Sequence, residues 1–200
     1  MGHILIAYTT GEGQTARVAE YLDEFVTRAG HRVDRVDLAE REPSLEPYTL
    51  VVLAGSIHMG RVQPRLVRYV RDHREQLEGR CAFFLVCLTA MNQSDEAKHQ
   101  IEEYLAGFSR DTGVFPEPVA VFAGRLAYTR YGVLKRWLMK KVASQLGGDT
   151  DTSRDHEYTS WDAVAAFGDR LVQAVREAEG GAMNLASLET GRFSARPTGS

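Results

Sequence analysis

Five short apolar runs mark the first two thirds of the chain, at Ile4–Tyr8, Arg32–Val36, Leu50–Ala54, Ala82–Leu88 and Val119–Phe122. The clearest of them, LVVLAG and FFLVCL, are apolar at consecutive positions instead of alternate ones. That is the pattern of strands buried on both faces of a parallel sheet. Between the runs the apolar residues recur with helical period. A helix over 14–28 sets Val18, Tyr21, Leu22, Phe25 and Val26 on one face, and one over 63–77 does so with Leu66, Val67, Val70 and Leu77. Two more are predicted over 97–108, through Ile101, Tyr104, Leu105 and Phe108, and over 161–175, through Trp161, Val164, Ala165, Leu171 and Val175. Strand and helix in alternation predict an α/β domain: a doubly wound five-stranded parallel sheet with helices on both faces.

Two segments stand outside this scheme. Residues 124–160 form an insertion before the last helix, where a connection in such a fold usually takes about 2 to 6 residues. The stretch 180–200 is rich in Gly, Ser, Thr and Ala with scattered apolar residues, and is expected to be an unfolded tail. The expected organisation is one domain over 1–179, with no internal repeat.

Composition narrows the class. At 200 residues, 44% hydrophobic and 26% charged, the chain is neither a disordered polymer nor a collagen-like fibre. A net charge of -3 supplies no general field for nucleic acid. No apolar stretch reaches the roughly 18 residues of a membrane span, and Met1–Tyr8 is too short for a secretory signal, so a cytoplasmic protein is expected. Cys81 and Cys87 lie six apart in one apolar run. In a strand that separation is about 20 Å, too far for a disulfide, so they read as buried thiols in a reducing compartment.

The first strand runs directly into Thr9-Thr10-Gly11-Glu12-Gly13-Gln14-Thr15, where the first helix begins. Small hydroxyl residues and glycines at that place aim N–H and O–H donors at a helix N-terminus, which favours an anion. The loop is neither a dinucleotide fingerprint nor a triphosphate loop with its Gly-Lys-Ser/Thr ending. Lacking a lysine, it suits a single monoester phosphate, and among common cofactors that points to FMN. A plain N-cap by Thr10 or Thr15 is the alternative, though three threonines and two glycines exceed what a cap needs. A phospho-acceptor receiver of the same topology needs an acidic pocket at these strand ends, and the first strand carries no acid.

This loop resembles that of flavodoxins, Thr/Ser-x-Thr-Gly-x-Thr. With YTTGEGQT (8–15), GSIHMG (55–60), AGRLAYTRY (123–131) and GGDTDTSRDHEYTSWDAV (147–164), the chain resembles one branch in particular. That branch is the menaquinone-dependent protoporphyrinogen IX dehydrogenases of bacterial haem synthesis, flavodoxin-like proteins with a long insertion before the last helix. The likeness runs from about residue 3 to 177. It implies a flavodoxin-like fold and FMN held at three loops: Thr9, Thr10, Gly11, Glu12, Gly13, Gln14 and Thr15; Ser56, Ile57, His58, Met59 and Gly60; and Leu88, Thr89, Ala90, Met91, Asn92 and Gln93. It also implies oxidation of protoporphyrinogen IX to protoporphyrin IX, with menaquinone or another quinone as acceptor. Typical flavodoxins sandwich their flavin between aromatic rings. Here the second loop offers His58 and Met59 and the third has no aromatic residue, a looser clamp that suits direct substrate oxidation.

Between Gly124 and Gly148 stand six basic residues and no acid, which leaves the rest of the chain at -9. Leu134, Trp137, Leu138 and Val142 share one side of a helical wheel, with Lys135, Arg136 and Lys140 toward the other. A basic amphipathic helix over 131–146 fits peripheral contact with an anionic membrane, on the cytoplasmic face of the inner membrane. Packing on the domain or on a second copy, as a homo-oligomer, is the equal alternative. Arg125, Tyr128, Arg130 and Tyr131 follow the fifth strand and are candidate substrate contacts, cations for propionates and rings for pyrroles. Asp149, Asp151 and His156 read as a solvated turn before the last helix, with no metal expected. A catalytic acid or base is not identifiable. Competing readings are an electron-carrying flavodoxin, against which the basic insertion argues, and an FMN-dependent NAD(P)H:quinone reductase, for which no second dinucleotide motif is present.

Overall fold

The computed structural model describes residues 1–126, 128 and 151–192, the side chains of 181–192 excepted. Five parallel strands form the sheet: β1 (His3–Tyr8), β2 (Arg32–Asp37), β3 (Leu50–His58), β5 (Cys81–Val86) and β6 (Val119–Phe122), in the order β2-β1-β3-β5-β6. A two-residue β4 (Arg61–Val62) folds back antiparallel on the end of β3. The order steps outward in one direction from β1 to β2 and in the other from β1 through β3, so loops at the carboxyl ends of β1 and β3 diverge and leave a crevice.

Helices α1 (Gln14–Arg28) and α5 (Trp161–Arg192) cover one face, and α2 (Pro64–Asp72) and α4 (Asp95–Thr112) the other, with a single-turn α3 (Arg74–Leu77) after α2. Successive strand residues point to opposite faces. Ile4, Ile6, Val52, Ala54 and Phe84 therefore pack with Val18, Leu22, Phe167 and Leu171. Their neighbours Leu5, Ala7, Val51, Leu53, Phe83 and Leu85 pack with Leu66, Val70 and Phe108. Both cores draw on the same strands, which is why those runs are apolar without alternation. At the edge, β2 is only partly buried, and there Asp34 accepts hydrogen bonds from Tyr48 (2.9 Å) and His3 (2.8 Å). Gly168 lets α5 approach α1 closely, since a Cβ there would stand 2.6 Å from the Phe25 ring.

Several expected boundaries shift. The fourth apolar run leaves the sheet at Val86, and Leu88–Met91 forms a 3-10 turn. The helix expected over 63–77 breaks at His73, whose ring Nδ1 lies 2.8 Å from the Tyr69 carbonyl and competes for it with the backbone. β3 continues to His58, through residues expected as loop. The last helix, expected to end near 175, runs to Arg192 through a stretch expected to be unfolded. Ala182, Met183, Leu185, Ala186 and Leu188 are good helix formers, and extending an existing helix needs no new nucleus, so Gly180 and Gly181 do not end it. Both cysteines are free and buried, and burial pushes the Cys81 thiol up to about 11.

At the base of the insertion, β7 (Arg125–Leu126) pairs antiparallel with β8 (His156–Glu157). Leu126 and Tyr128 are fully buried there, against Leu88 and Tyr158. Arg130, Tyr131 and the stretch expected as a basic helix, 131–146, lie outside the described residues.

Candidate functional site

Three loops meet at the carboxyl ends of β1, β3 and β5. The first is anchored by Thr9, whose N–H donates to the Ala54 carbonyl (2.9 Å) and whose hydroxyl donates to Gln63 Oε1 (2.5 Å). Thr10 Oγ1 accepts the Gly13 N–H at 2.9 Å, and its own hydrogen remains available to donate outward. Gly13 sits at φ 89°, in the left-handed region, where it turns the chain into α1.

The start of α1 differs from that of α4. Ser94 caps α4 by accepting the Ala97 N–H, and Asp95 and Glu96 occupy its first turn. α1 has neither a side-chain cap nor an acid in its first turn. The first intrahelical bond runs from Arg17 N to Gly13 O, so the N–H groups of Gln14 and Thr15 precede it. Open N–H groups, the positive end of the helix dipole and the Thr10 and Thr15 hydroxyls form a donor set for a doubly charged phosphate. These residues fit a phosphate-bearing flavin.

Gln14 is placed differently from the expectation. Its side-chain amide, on a buried residue, donates to Glu157 Oε1 (3.0 Å) and Thr159 Oγ1 (2.9 Å), which leaves its backbone N–H alone for an anion. Arg17 completes the clasp: Nη1 lies 2.8 Å from Glu157 Oε2, and the guanidinium stacks over Trp161 at 5.5 Å. Thr159 then donates to the Ala123 carbonyl at 2.7 Å. The clasp thus fastens the returning end of the insertion to both the phosphate loop and β6. Burial alone raises the Glu157 pKa, but hydrogen bonds from Arg17 and Gln14 outweigh it and hold the carboxyl below the usual glutamate range.

That direction fixes a pH dependence. A carboxyl depressed in the folded state stabilises fully above its unfolded pKa of about 4.3, and loses that contribution as pH falls through the folded value. Glu157→Gln is expected to melt below wild type at pH 7 and to converge with it in acid, once pH has fallen through the depressed folded value. A gap of equal size in both conditions would mean that the clasp is not ionic.

The second loop is the turn between β3 and β4. Ile57 and His58 pair with Val62 and Arg61, so Met59 and Gly60 form a two-residue hairpin turn at φ 51° and 76°. His58, Met59 and Gly60 are exposed, Met59 to 90%, while Ser56 and Ile57 are half-buried. Ser56 N donates to Gln63 Oε1 at 3.3 Å. One amide oxygen therefore holds the first loop to the second. In the third loop Thr89 is buried and its hydroxyl donates to Gln100 Oε1 at 3.4 Å. Asn92 Oδ1 accepts the Ser94 N–H at 2.8 Å, turning that side chain into its own loop, while Leu88, Ala90 and Met91 are half-buried and Gln93 is exposed.

Two candidate substrate contacts lie at the base of the insertion. Arg125 is half-buried and ion-paired with Asp155, and Tyr128 is fully buried with its ring edge-on to His156. The short β7–β8 ladder places both there, Tyr128 with its ring buried and Arg125 with its guanidinium shared with Asp155. Gln63, Arg17, Glu157 and Thr159 are structural members of the site that sequence reasoning passed over. No local pattern marks them, since each acts on a partner distant in the chain.

The profile of the flavodoxin domain family matches residues 5–153. A protoporphyrinogen IX dehydrogenase (quinone) of Escherichia coli strain K12 is 32% identical over 165 residues, 82% of this chain and 91% of that protein. One of the same name from Leishmania major is 31% identical over 166 residues, 82% of this chain and 71% of that protein. Oxidised flavodoxin 1 from Bacillus cereus superposes with a TM-score of 0.50 at 12% identity, covering 86% of this chain and 97% of that one, a likeness of fold alone.

Proposed function

Because the chain belongs to the flavodoxin domain family, among the quinone-linked protoporphyrinogen IX dehydrogenases, we propose that it binds FMN and oxidises protoporphyrinogen IX to protoporphyrin IX, with menaquinone or a related quinone as acceptor. It is an oxidoreductase. The observation that carries FMN in particular is the uncapped, acid-free start of α1 beside Thr10 and Thr15, a donor set built for one terminal phosphate. When bound, FMN supplies the redox chemistry, taking hydride equivalents from the substrate and releasing electrons to the quinone.

The chain's own residues bind and orient. Thr10, Gly11, Gly13 and Thr15, with the Gln14 N–H, hold the phosphate. Ser56–Gly60 and Leu88–Gln93 border the ring from the two neighbouring strand ends. Gln63 keeps the first two loops in register through Thr9 and Ser56. The exposed His58-Met59-Gly60 turn brings no Phe, Tyr or Trp ring to the crevice, which supports a site open to a bulky substrate. A lipid-soluble acceptor and the basic stretch 131–146 support a peripheral position on the cytoplasmic face of the inner membrane, within haem synthesis.

The test is anaerobic. FMN-loaded protein is mixed with protoporphyrinogen IX, in detergent or with vesicles containing anionic lipid and menaquinone, and porphyrin fluorescence is followed. Fluorescence is expected to grow only when flavin and quinone are both present, and faster with vesicles. A flavin that is reduced by NADPH but not by the porphyrinogen would instead assign a quinone reductase.

A further inference from the structure

A second concavity, of about 870 Å³, opens on the face of the sheet covered by α2 and α4. Ligand pockets fall between roughly 300 and 1,000 Å³. Gly60, Arg61 and Val62, from the second loop, line it ahead of α2, and Arg71, Arg110 and Asp111 line it where α2 and α4 end. α2 has nine residues, so the groove beside it runs for about 13 Å. Val62, Val67, Tyr104 and Phe108 supply an apolar lining, and Gly107 leaves the α4 wall low.

The charges around that lining are one-sided. Arg61, Arg65, Arg68, Arg71 and Arg110 face two acids, Glu103 and Asp111. Arg65, Arg68 and Arg71 recur every three residues on α2, a like-charge spacing that costs a few tenths of a kcal/mol per pair. Arg65 is turned toward the Leu38 carbonyl and Arg68 toward Glu42 at 3.6 Å. Among the described residues, Arg71 and Arg110, one on each wall, meet only the acids next to them in sequence, at 3.9 Å and 4.0 Å. Exposed pairs of that length are worth little, so both guanidiniums remain available to a ligand.

We propose that this groove binds the tetrapyrrole, with Arg71 and Arg110 each taking one carboxylate and the ring body lying over Val62, Val67 and Tyr104 toward the second loop. The assignment rests on the function proposed above. Its chemical basis is the match of an apolar channel, closed at one end by two guanidiniums on opposite walls, to a large apolar ring with both carboxylates on one edge. Guanidinium and carboxylate pair bidentately, which fixes orientation as well as affinity. The other end of the ligand then lies beside Gly60, next to the flavin crevice.

Binding of protoporphyrin IX to the full chain, with and without FMN, is followed by its absorption shift. Two variants test the groove. Arg71→Gln with Arg110→Gln removes the charges, and Gly107→Leu raises the α4 wall while improving helix propensity, so it is not a folding defect in disguise. Each is expected to weaken porphyrin binding by about tenfold or more, with the FMN titration and melting curve kept. The porphyrin dimethyl ester is expected to bind wild type as weakly as the diacid binds the arginine variant. Equal porphyrin affinity in wild type and variants would overturn the assignment, as would ester and diacid binding alike. Loss of binding to anionic vesicles, with porphyrin binding intact, would overturn it in favour of a lipid surface. Groove-dependent porphyrin binding by a chain that takes up no FMN would support the groove and defeat the proposed redox function.

Discussion

Thr10→Ala combined with Thr15→Ala is expected to raise the FMN dissociation constant by about two to four orders of magnitude. Each hydroxyl is placed to donate to a charged phosphate, and such bonds contribute about 1.5–3 kcal/mol apiece. Together they amount to about 3–6 kcal/mol, which at 1.4 kcal/mol per decade gives that range. Thr10 is suited to the role because the Gly13 N–H already occupies one of its lone pairs and orients the outgoing hydrogen. Thr15 is suited because it is 1% exposed in the first turn of α1, where little rotamer freedom is left to lose. Neither change should unfold the chain, since alanine is the better helix former at 15. The paired serine variant should bind close to wild type. Quenching of FMN fluorescence on titration measures all three, and an unchanged constant in the alanine pair would remove these hydroxyls from the phosphate site.

The same loop marks the limit of what local sequence carries. Its residue types and its place between an apolar run and an amphipathic helix are enough to locate an anion site, because the donors belong to consecutive residues. The sheet was legible for a related reason: FFLV (83–86) and LVVLA (50–54) are buried on both sides, as a central parallel strand demands. Partners across the fold left no such trace. Gln63 sits 54 residues from Thr9, and Glu157 sits 143 from Gln14. Nothing near Gln14 in the sequence announces that its amide will be taken by an acid on the far side of the insertion. Arg125 and Tyr128 were expected as substrate contacts because their chemistry suits a porphyrin carboxylate and ring. The pairing of Arg125–Leu126 with His156–Glu157, invisible to periodicity in strands of two residues, turns them inward.

Phe167→Ala is expected to have the largest effect on the fold itself. Phe167 is fully buried on α5, edge-on to Phe84 at 6.2 Å and to Phe122 at 6.0 Å. It therefore joins the last helix to the two strands that end beside the third loop and the insertion. Truncating a buried phenylalanine costs about 3–5 kcal/mol, from lost transfer energy plus the cavity left among rings that cannot collapse onto it. Domains hold only about 5–15 kcal/mol in all. At roughly 2–4 °C per kcal/mol for a chain of this size, the melting temperature should fall by about 6–20 °C. Phe167→Leu, which keeps most of the volume, should cost under about 1.5 kcal/mol. The consequence reaches the site, because α5 begins at Trp161, over which Arg17 stacks, two residues after Thr159, which accepts from Gln14. A loosened α5 is thus expected to weaken FMN binding in the alanine variant without touching a single phosphate donor. Chemical unfolding with and without FMN separates the two effects. A loss below 1 kcal/mol in the alanine variant would mean that α5 is not fastened to the sheet through this ring.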